Sequence, residues 1–461
     1  MKDDKLKFMG EYPVALGIIR LALPAMLGMA VQMLYNLTDT YFIGQTNDPL
    51  IVAGISLASP LFFIIQALGN MFAVGSASVI SRQLGAGKVD KARETSAVAF
   101  YTTIATGLII TLVLLVFKDS VLGSVGTSPD TWGHANDYFT VIVWFSVPMA
   151  ANIAMGGLLR SEGATLQATI GMSIGLIINV ILDPIFILGF RLNAAGAAWA
   201  TVIGHLCSSV YYLRHFIAKR SLLSIAPADF KPSGAIYAET FKIGAPSALS
   251  QIVMSGSMVL SNMIASGFGG ILKEGGDILV AGIGVYMRVG SLCLSLLMGL
   301  TMGYQPFAGF NYGAEKYKRL VKGLWITTAY ATGLACAFAL IFRFFGQALI
   351  RFFIDDNATV LAGNMLLQAL VWAMPFVGLQ LTLTVTFQAL GKSLNAMIIT
   401  LGRQCLFYIP LLFTLPRIFG LNGFVFAQPV ADILTTIIAV LLSVNFLKHM
   451  YQMIRQQPAA G

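Results

Sequence analysis

Three carboxylates stand where carboxylates are expensive. Of the twenty acidic residues in the chain, only Asp39, Asp183 and Asp432 fall well inside long apolar stretches, where a charged side chain costs at least ~2.5 kcal/mol on insertion scales. Each is therefore a candidate for function. Asn179 precedes Asp183 by one helical turn and shares its face, and Thr201 follows in the next apolar stretch. Two carboxylates, an amide carbonyl and a hydroxyl suit a hard monovalent cation, which takes oxygen ligands. The same two acids, brought close in a poorly hydrated pocket, would titrate as one coupled pair and could carry a proton instead. The residue types fit Na⁺ and H⁺ equally. A structural role is the alternative: Asp39 would hydrogen-bond an irregular helix, and Asp183, followed by Pro184, would satisfy backbone groups freed at a kink.

Asp432 follows Pro429 in the last apolar stretch and has no acidic counterpart earlier in the chain. Its candidate partners are Arg288 and Arg403, two arginines that also fall inside apolar stretches, and the three share a candidate role in the second half of the chain. His205 lies one turn beyond Thr201 and is a candidate proton carrier, although a lone helical histidine more often packs in a core. The four histidines, His134, His205, His215 and His449, form no nucleophile or acid–base constellation by spacing, so an enzyme is not expected. The four cysteines show no CxxC or Cys/His spacing, which supports neither a disulfide framework nor a zinc site. No cofactor is expected, and the one metal ion to consider is Na⁺ at Asp39, Asn179, Asp183 and Thr201.

These residues must be held by membrane-spanning helices. The 461 residues are 57% hydrophobic and 11% charged, against roughly 25% charged in a soluble domain, and the mean hydropathy is +0.79. Apolar runs of about 20 residues or more predict helices over 14–45, 50–81, 95–117, 136–159, 165–190 and 195–218, then 239–268, 278–310, 320–346, 360–388, 394–416 and 423–447. That reading is an all-α polytopic membrane protein of twelve spans. The amino terminus carries charges of both signs with no convincing cleavage site after it, so the first helix is read as retained.

The two sets of helices repeat one another. Gly75, Gly85, Ala86, Lys88 and Lys91 fall opposite Gly303, Gly313, Ala314, Lys316 and Arg319 at an offset of 228, as Gly163 and Ala168 do opposite Gly391 and Ala396. Pro24 opposes Pro246 at 222, the difference being absorbed by the loop GGILKEGGD. An even number of spans between equivalents implies two six-helix lobes related by a pseudo-two-fold axis along the membrane normal. The expected division is 1–220, a connector at 221–238, and 239–461.

Charge sets the orientation. With the amino terminus inside, cytoplasmic loops and helix ends hold 20 of the 29 basic residues and outer loops six, as the positive-inside rule requires. Both termini are then cytoplasmic in a plasma (inner) membrane protein, and the net charge of +9 reports topology rather than nucleic-acid binding. On this topology Asp39 lies about six residues from the outer end of its helix, roughly 9 Å at 1.5 Å per residue. Asp183, Asn179 and Thr201 reach a similar depth.

Over nearly its whole length the chain resembles the multidrug and toxic compound extrusion (MATE) transporters. The stretches that carry the resemblance are LALPAMLGMAVQMLYNLTDTYFIG, SRQLGAGKVDKARE, LLRSEGATLQA, NVILDPIFILGFRLNAAGAAWATVIG, GYQPFAGFNYGAEKYKR and QPVADIL. The resemblance implies two six-helix lobes around a central cleft and efflux of varied, often cationic, organic compounds by antiport with Na⁺ or H⁺. It also implies a cation site at Asp39, Asn179, Asp183 and Thr201, as in the branch with an aspartate on the first helix. Another branch places a glutamate on the seventh helix, where this chain has Gln251 and Ser255 and no carboxylate. The expected partners are small organic substrates and membrane lipid, with the chain working as a monomer. The alternative function is a flippase for lipid-linked oligosaccharides or related amphiphiles of the same broad superfamily, which would draw on basic residues inside the cleft.

Overall fold

A chain this apolar can satisfy its backbone in lipid only by helical or closed-barrel hydrogen bonding, and the computed structural model is helical almost throughout residues 2–46, 48–270 and 276–457, the part it describes. In chain order the helices are α1 Lys2–Glu11, α2 Val14–Gly44, α3 Pro49–Gly85, α4 Val89–Val116, α5 Lys118–Ser124, α6 Pro129–Trp144, α7 Ser146–Ser161 and α8 Thr165–Asp183. They continue as α9 Asn193–Ile217, α10 Gly234–Ser266, α11 Gly276–Gly313, α12 Tyr317–Arg351, α13 Asn357–Ala389, α14 Ser393–Leu401 and α15 Ile409–Gln456. Two π-helical segments interrupt the series, Pro184–Gly189 after α8 and Gly402–Tyr408 after α14. The loop expected to absorb the six-residue offset lies partly outside the described residues, at 271–275.

Among the described residues nine helices are long and apolar enough to cross a membrane, or ten when α6 and α7, bent by 56°, count as one span. The expectation was twelve, and two features account for the difference. The 25-residue α9 is long enough but rich in alanine, glycine and serine, because much of its surface packs on α8 and α6 rather than lipid. The run Ser393–Gln456 counts once although its 64 residues far exceed the ~20 a bilayer needs. Gly420 breaks it, with φ 58° and ψ −135°, a conformation that only glycine adopts readily.

The two halves of the chain meet near the end of the molecule that carries Arg82, Lys88 and Lys316. There a single core mixes Ile18, Leu84 and Leu158 of the first half with Phe307, Phe310 and Phe387 of the second. The contact is close enough to demand glycine: a Cβ on Gly85 would stand 2.0 Å from the Phe310 carbonyl oxygen, and one on Gly313 2.0 Å from that of Arg82. Positions 82 and 310 are related by the same offset of 228 as Gly85 and Gly313, so the contact is reciprocal. The short helix α1, absent from the sequence expectation, is held at the same end. Asn311 and Arg319 donate to the Met9 carbonyl, Lys316 to that of Gly10 and Arg319 to that of Tyr12, so cationic side chains meet the carbonyl end of a helix. Toward the opposite end the cores separate. One holds Ile43, Ile51, Ile55 and Val202 of the first half, another Phe268, Ile283, Leu412 and Phe424 of the second.

Candidate functional site

Three helices of the first half bring the four expected residues together. Helix α2 carries Tyr35 and Asp39 one turn apart, α8 carries Asn179 and Asp183 one turn apart, and α9 carries Thr201. Glycines set the spacing of α8 and α9, since a Cβ on Gly204 would stand 2.5 Å from the Gly175 carbonyl oxygen. That approach lets the Asn179 amide donate to the Thr201 hydroxyl at 3.2 Å. The Tyr35 hydroxyl lies near that of Thr201, and the Asp39 and Asp183 carboxyls lie within hydrogen-bond reach of each other. Two carboxylates repel, so that contact requires a proton or a cation between them.

The donors that would neutralise this cluster are missing. Asp183 is fully buried and Asn179 nearly so. No donor among the described residues reaches either Asp183 oxygen or the Asn179 amide oxygen, apart from the Asp39 carboxyl when it is protonated. Asp183 therefore does not satisfy backbone groups freed at Pro184, and the kink reading fails for it. Buried polar groups are nearly always paired, so three unpaired oxygens beside a second carboxylate mark a place for a proton or a hard cation. The side chains of Tyr35 and Tyr138 complete the surroundings of the acids. Neither tyrosine was foreseen: helical spacing could have found Tyr35, one turn before Asp39 on the same face, whereas only packing brings Tyr138 of α6 there. His205 stands outside the cluster, its Nδ1 3.3 Å from the Asn152 side-chain oxygen, while the Asn152 amide donates to Ser209 at 3.1 Å.

The corresponding place in the second half is built differently. Asp432 is fully buried, and Arg403 of the second π-helical segment donates to it through Nε at 2.6 Å and Nη2 at 3.3 Å, while Gln428 adds a third donor at 3.0 Å. Arg403 is thus the partner of Asp432. Arg288 is exposed and in no ion pair among the described residues. Gly196 and Gly423 make matching contacts with the backbone of the turn before each of them. They align the last helix of each half at an offset of 227, with Gln428 opposite Thr201 and Asp432 opposite His205. Arg403 falls opposite Gly175 at 228, and Ser257 and Ser261 fall opposite Tyr35 and Asp39 at 222. Groups of three or more His, Cys, Asp or Glu side chains arranged for a metal ion are absent among the described residues.

Comparison with known proteins agrees with this architecture. The profile of the family described as MatE matches residues 24–185 and 246–414. The multidrug export protein MepA of Staphylococcus aureus (strain NCTC 8325 / PS 47) is 29% identical over 446 residues, 96% of each chain, and MepA of Staphylococcus saprophyticus is 28% identical over 444 residues, again 96% of each. The crystal structure of MATE in complex with MaL6 superposes with a TM-score of 0.91 at 25% identity, over 97% of this chain and 99% of that one. The outward-facing conformation of a multidrug resistance MATE family transporter of the MOP superfamily matches in fold, with a TM-score of 0.90 at 24% identity over 97% and 98% of the chains.

Proposed function

The chain belongs to the MATE family, ion-coupled membrane transporters rather than enzymes, and from that premise we propose that Asp39, Asn179, Asp183 and Thr201 take up the coupling cation of a multidrug exporter. The observation that carries the proposal is the pair of carboxyls within hydrogen-bond reach of each other, with no other donor among the described residues on either oxygen of Asp183. A proton shared by the pair, or a Na⁺ ion bridging them to the Asn179 carbonyl and the Thr201 hydroxyl, removes both the repulsion and the unpaired oxygens. Uptake of the cation and binding of substrate then alternate. Cation binding from outside favours substrate release, and the two halves rock against one another about the repeat axis.

The arrangement of the halves supports a reading of the state. We read 1–220 and 239–461 as two six-helix lobes joined by 221–238, with the break at Gly420 and the bend between α6 and α7 bringing the crossings to twelve. The reciprocal Gly85 and Gly313 contacts close the basic end, which the positive-inside rule makes cytoplasmic, while the separate cores leave the opposite end parted. This is an outward-facing transporter of the plasma membrane with both termini cytoplasmic. One chain contains both halves of the repeat, so a monomer suffices. A flippase for lipid-linked phosphates would want free cationic groups inside the cleft. Arg403 is committed to Asp432, which favours the exporter.

Reconstituted transport tests the proposal. With Na⁺ and pH gradients imposed separately across proteoliposomes, the parent should export a fluorescent organic cation in response to at least one of them. Asp39→Asn and Asp183→Asn variants, inserted in equal amount, should not. Export at the parental rate by either variant rejects this site as the coupling site.

A further inference from the structure

Helix α1 precedes the first half in the chain but is held by the second. Asn311 and Arg319 donate to the Met9 carbonyl at 3.1 and 3.4 Å, Lys316 to that of Gly10 at 3.1 Å, and Arg319 to that of Tyr12 at 2.7 Å. Arg319 also donates to the Asn311 side-chain oxygen at 3.2 Å, so the three donors form one grip. Glycine lets the helix end seat there, because a Cβ on Gly10 would stand 3.1 Å from the Phe310 ring and 3.2 Å from the Lys316 ammonium. Toward the first half α1 presents a different chemistry. The Met9 side chain is fully buried, and its sulfur lies against the turn at Gly163, 3.2 Å from where a Cβ on that glycine would stand. The Phe8 ring receives the guanidinium of Arg20 on α2 at 4.9 Å. We propose that α1 is a latch carried by the second half: Met9 is its tooth, the Gly163 turn receives it, and their engagement holds the basic end of the molecule closed.

Equivalent turns of the two halves are covered in the same way. Gly163 and Gly391, 228 positions apart, both have positive φ, 81° and 76°, and each receives a side chain from across the seam. On Gly391 it is Arg82 of the first half, whose guanidinium carbon lies 2.9 Å from where a Cβ would stand and whose Nη2 pairs with Glu239 of the second half at 2.9 Å. On Gly163 it is Met9. The segment before α2 thus does for the first half what α3 does for the second.

The two fastenings differ in kind. Glu239 keeps 51% of its side chain exposed, so its ion pair is screened by water and salt. Met9 holds by apolar area removed from water and has no charge to screen. Two of the three donors that grip α1 are cationic, and charge-assisted bonds are roughly twice as strong as neutral ones. When the halves part, α1 therefore stays with the second half and Met9 leaves the Gly163 turn. The latch sets the ratio of closed to open basic ends from the end of α2 opposite to Asp39.

The inference rests on the reading that the basic end opens during transport, but it is tested by distance and not by transport. In the full-length protein in nanodiscs, with the four native cysteines changed to alanine, nitroxides are placed at Lys91→Cys of the first half and Lys318→Cys of the second, both exposed positions. Pulsed dipolar spectroscopy should find the parent mainly at the short distance of the closed end. Met9→Ala should raise the ratio of long to short distances at least about tenfold, the effect of freeing one buried apolar side chain. Lys316→Gln combined with Arg319→Gln loosens the grip and should act in the same direction, less strongly because Asn311 remains. All three together should add little to Met9→Ala, since a grip without a tooth holds nothing; two independent packing defects would multiply. Parental distances in Met9→Ala or in the grip variant, a multiplied effect in the triple variant, or a parent at mainly long distances overturns the latch. A parent that shows the latch response but exports nothing under imposed gradients would sink the export reading and leave the latch standing.

Discussion

The two halves of the repeat use equivalent places for opposite electrostatics. In the first half Gly175 and Gly204 let α8 and α9 touch through their backbones, and the space left beside them holds two carboxyls with no cationic partner. In the second half the residue opposite Gly175 is Arg403. Its guanidinium spans the gap to Asp432 and keeps the helices a side chain apart. On our proposal the first half keeps its charge unpaired and so available to an ion, whereas the second half pairs its charge.

The largest test of this contrast is functional. Asp183→Asn should reduce gradient-driven export to background, whereas Asp432→Asn paired with Arg403→Gln, which keeps the second half neutral, should retain ion-coupled export of tetraphenylphosphonium. Equal loss in both would show that the halves are not specialised in this way.

Stability should move in the opposite sense. Asp432→Ala leaves Arg403 facing a site with no carboxylate and should cost about 3 kcal/mol, the low end for breaking a buried pair, because Arg403 keeps 20% of its side chain exposed. Replacing both partners by Arg403→Met and Asp432→Leu should recover most of the loss. Asp183→Asn breaks no ion pair, and its apparent Tm should equal or exceed that of the parent. A fall comparable to that of Asp432→Ala would mean that Asp183 has a stabilising partner and would erase the contrast.

A smaller effect concerns the break that the second half alone carries. Gly420→Ala forces a side chain into a conformation with φ 58° and ψ −135° and should destabilise by about 1–3 kcal/mol. An unchanged apparent Tm would argue that the last helix of the second half is not anchored there. The smallest effect lies outside the membrane, at the amino-terminal cap of α13. The hydroxyl and backbone N–H of Thr359 donate to the Asp356 carboxylate and hold its pKa below the usual aspartate value. A lowered pKa means stabilisation present above the unfolded-state pKa and lost as pH falls through the folded one. Asp356→Asn should therefore flatten the fall of Tm at acid pH; a profile identical to the parent's would exclude the cap from the acid response.

Much of the first-half site was legible because cost is legible. A carboxylate in an apolar run announces itself by its price, and Asn179 and Thr201 follow from helical spacing and depth. The contact between Asp39 and Asp183 was not legible, since they are 144 positions apart and only the packing of α2 on α8 joins them. The second half shows the same limit more sharply. Arg288 and Arg403 were equal candidates for Asp432 by residue type and span, and the π-helical turn that aims Arg403 inward leaves no mark in the composition. The span count read from sequence, twelve, exceeds the nine or ten helices that are long and apolar enough to cross a membrane among the described residues, because it included the alanine-rich 195–218, which packs on protein, and divided the run that the structure keeps as one helix over Ser393–Gln456.

The sequence alone determined a helical membrane protein and the identity of its expensive charges, and it predicted a repeat and an orientation, because hydropathy, positive charge and a constant offset are properties of residue order. Tertiary structure decided which charges are paired. Pairing depends on ångström-scale approach between helices far apart in the chain, and glycine at one crossing against arginine at its equivalent sets that approach.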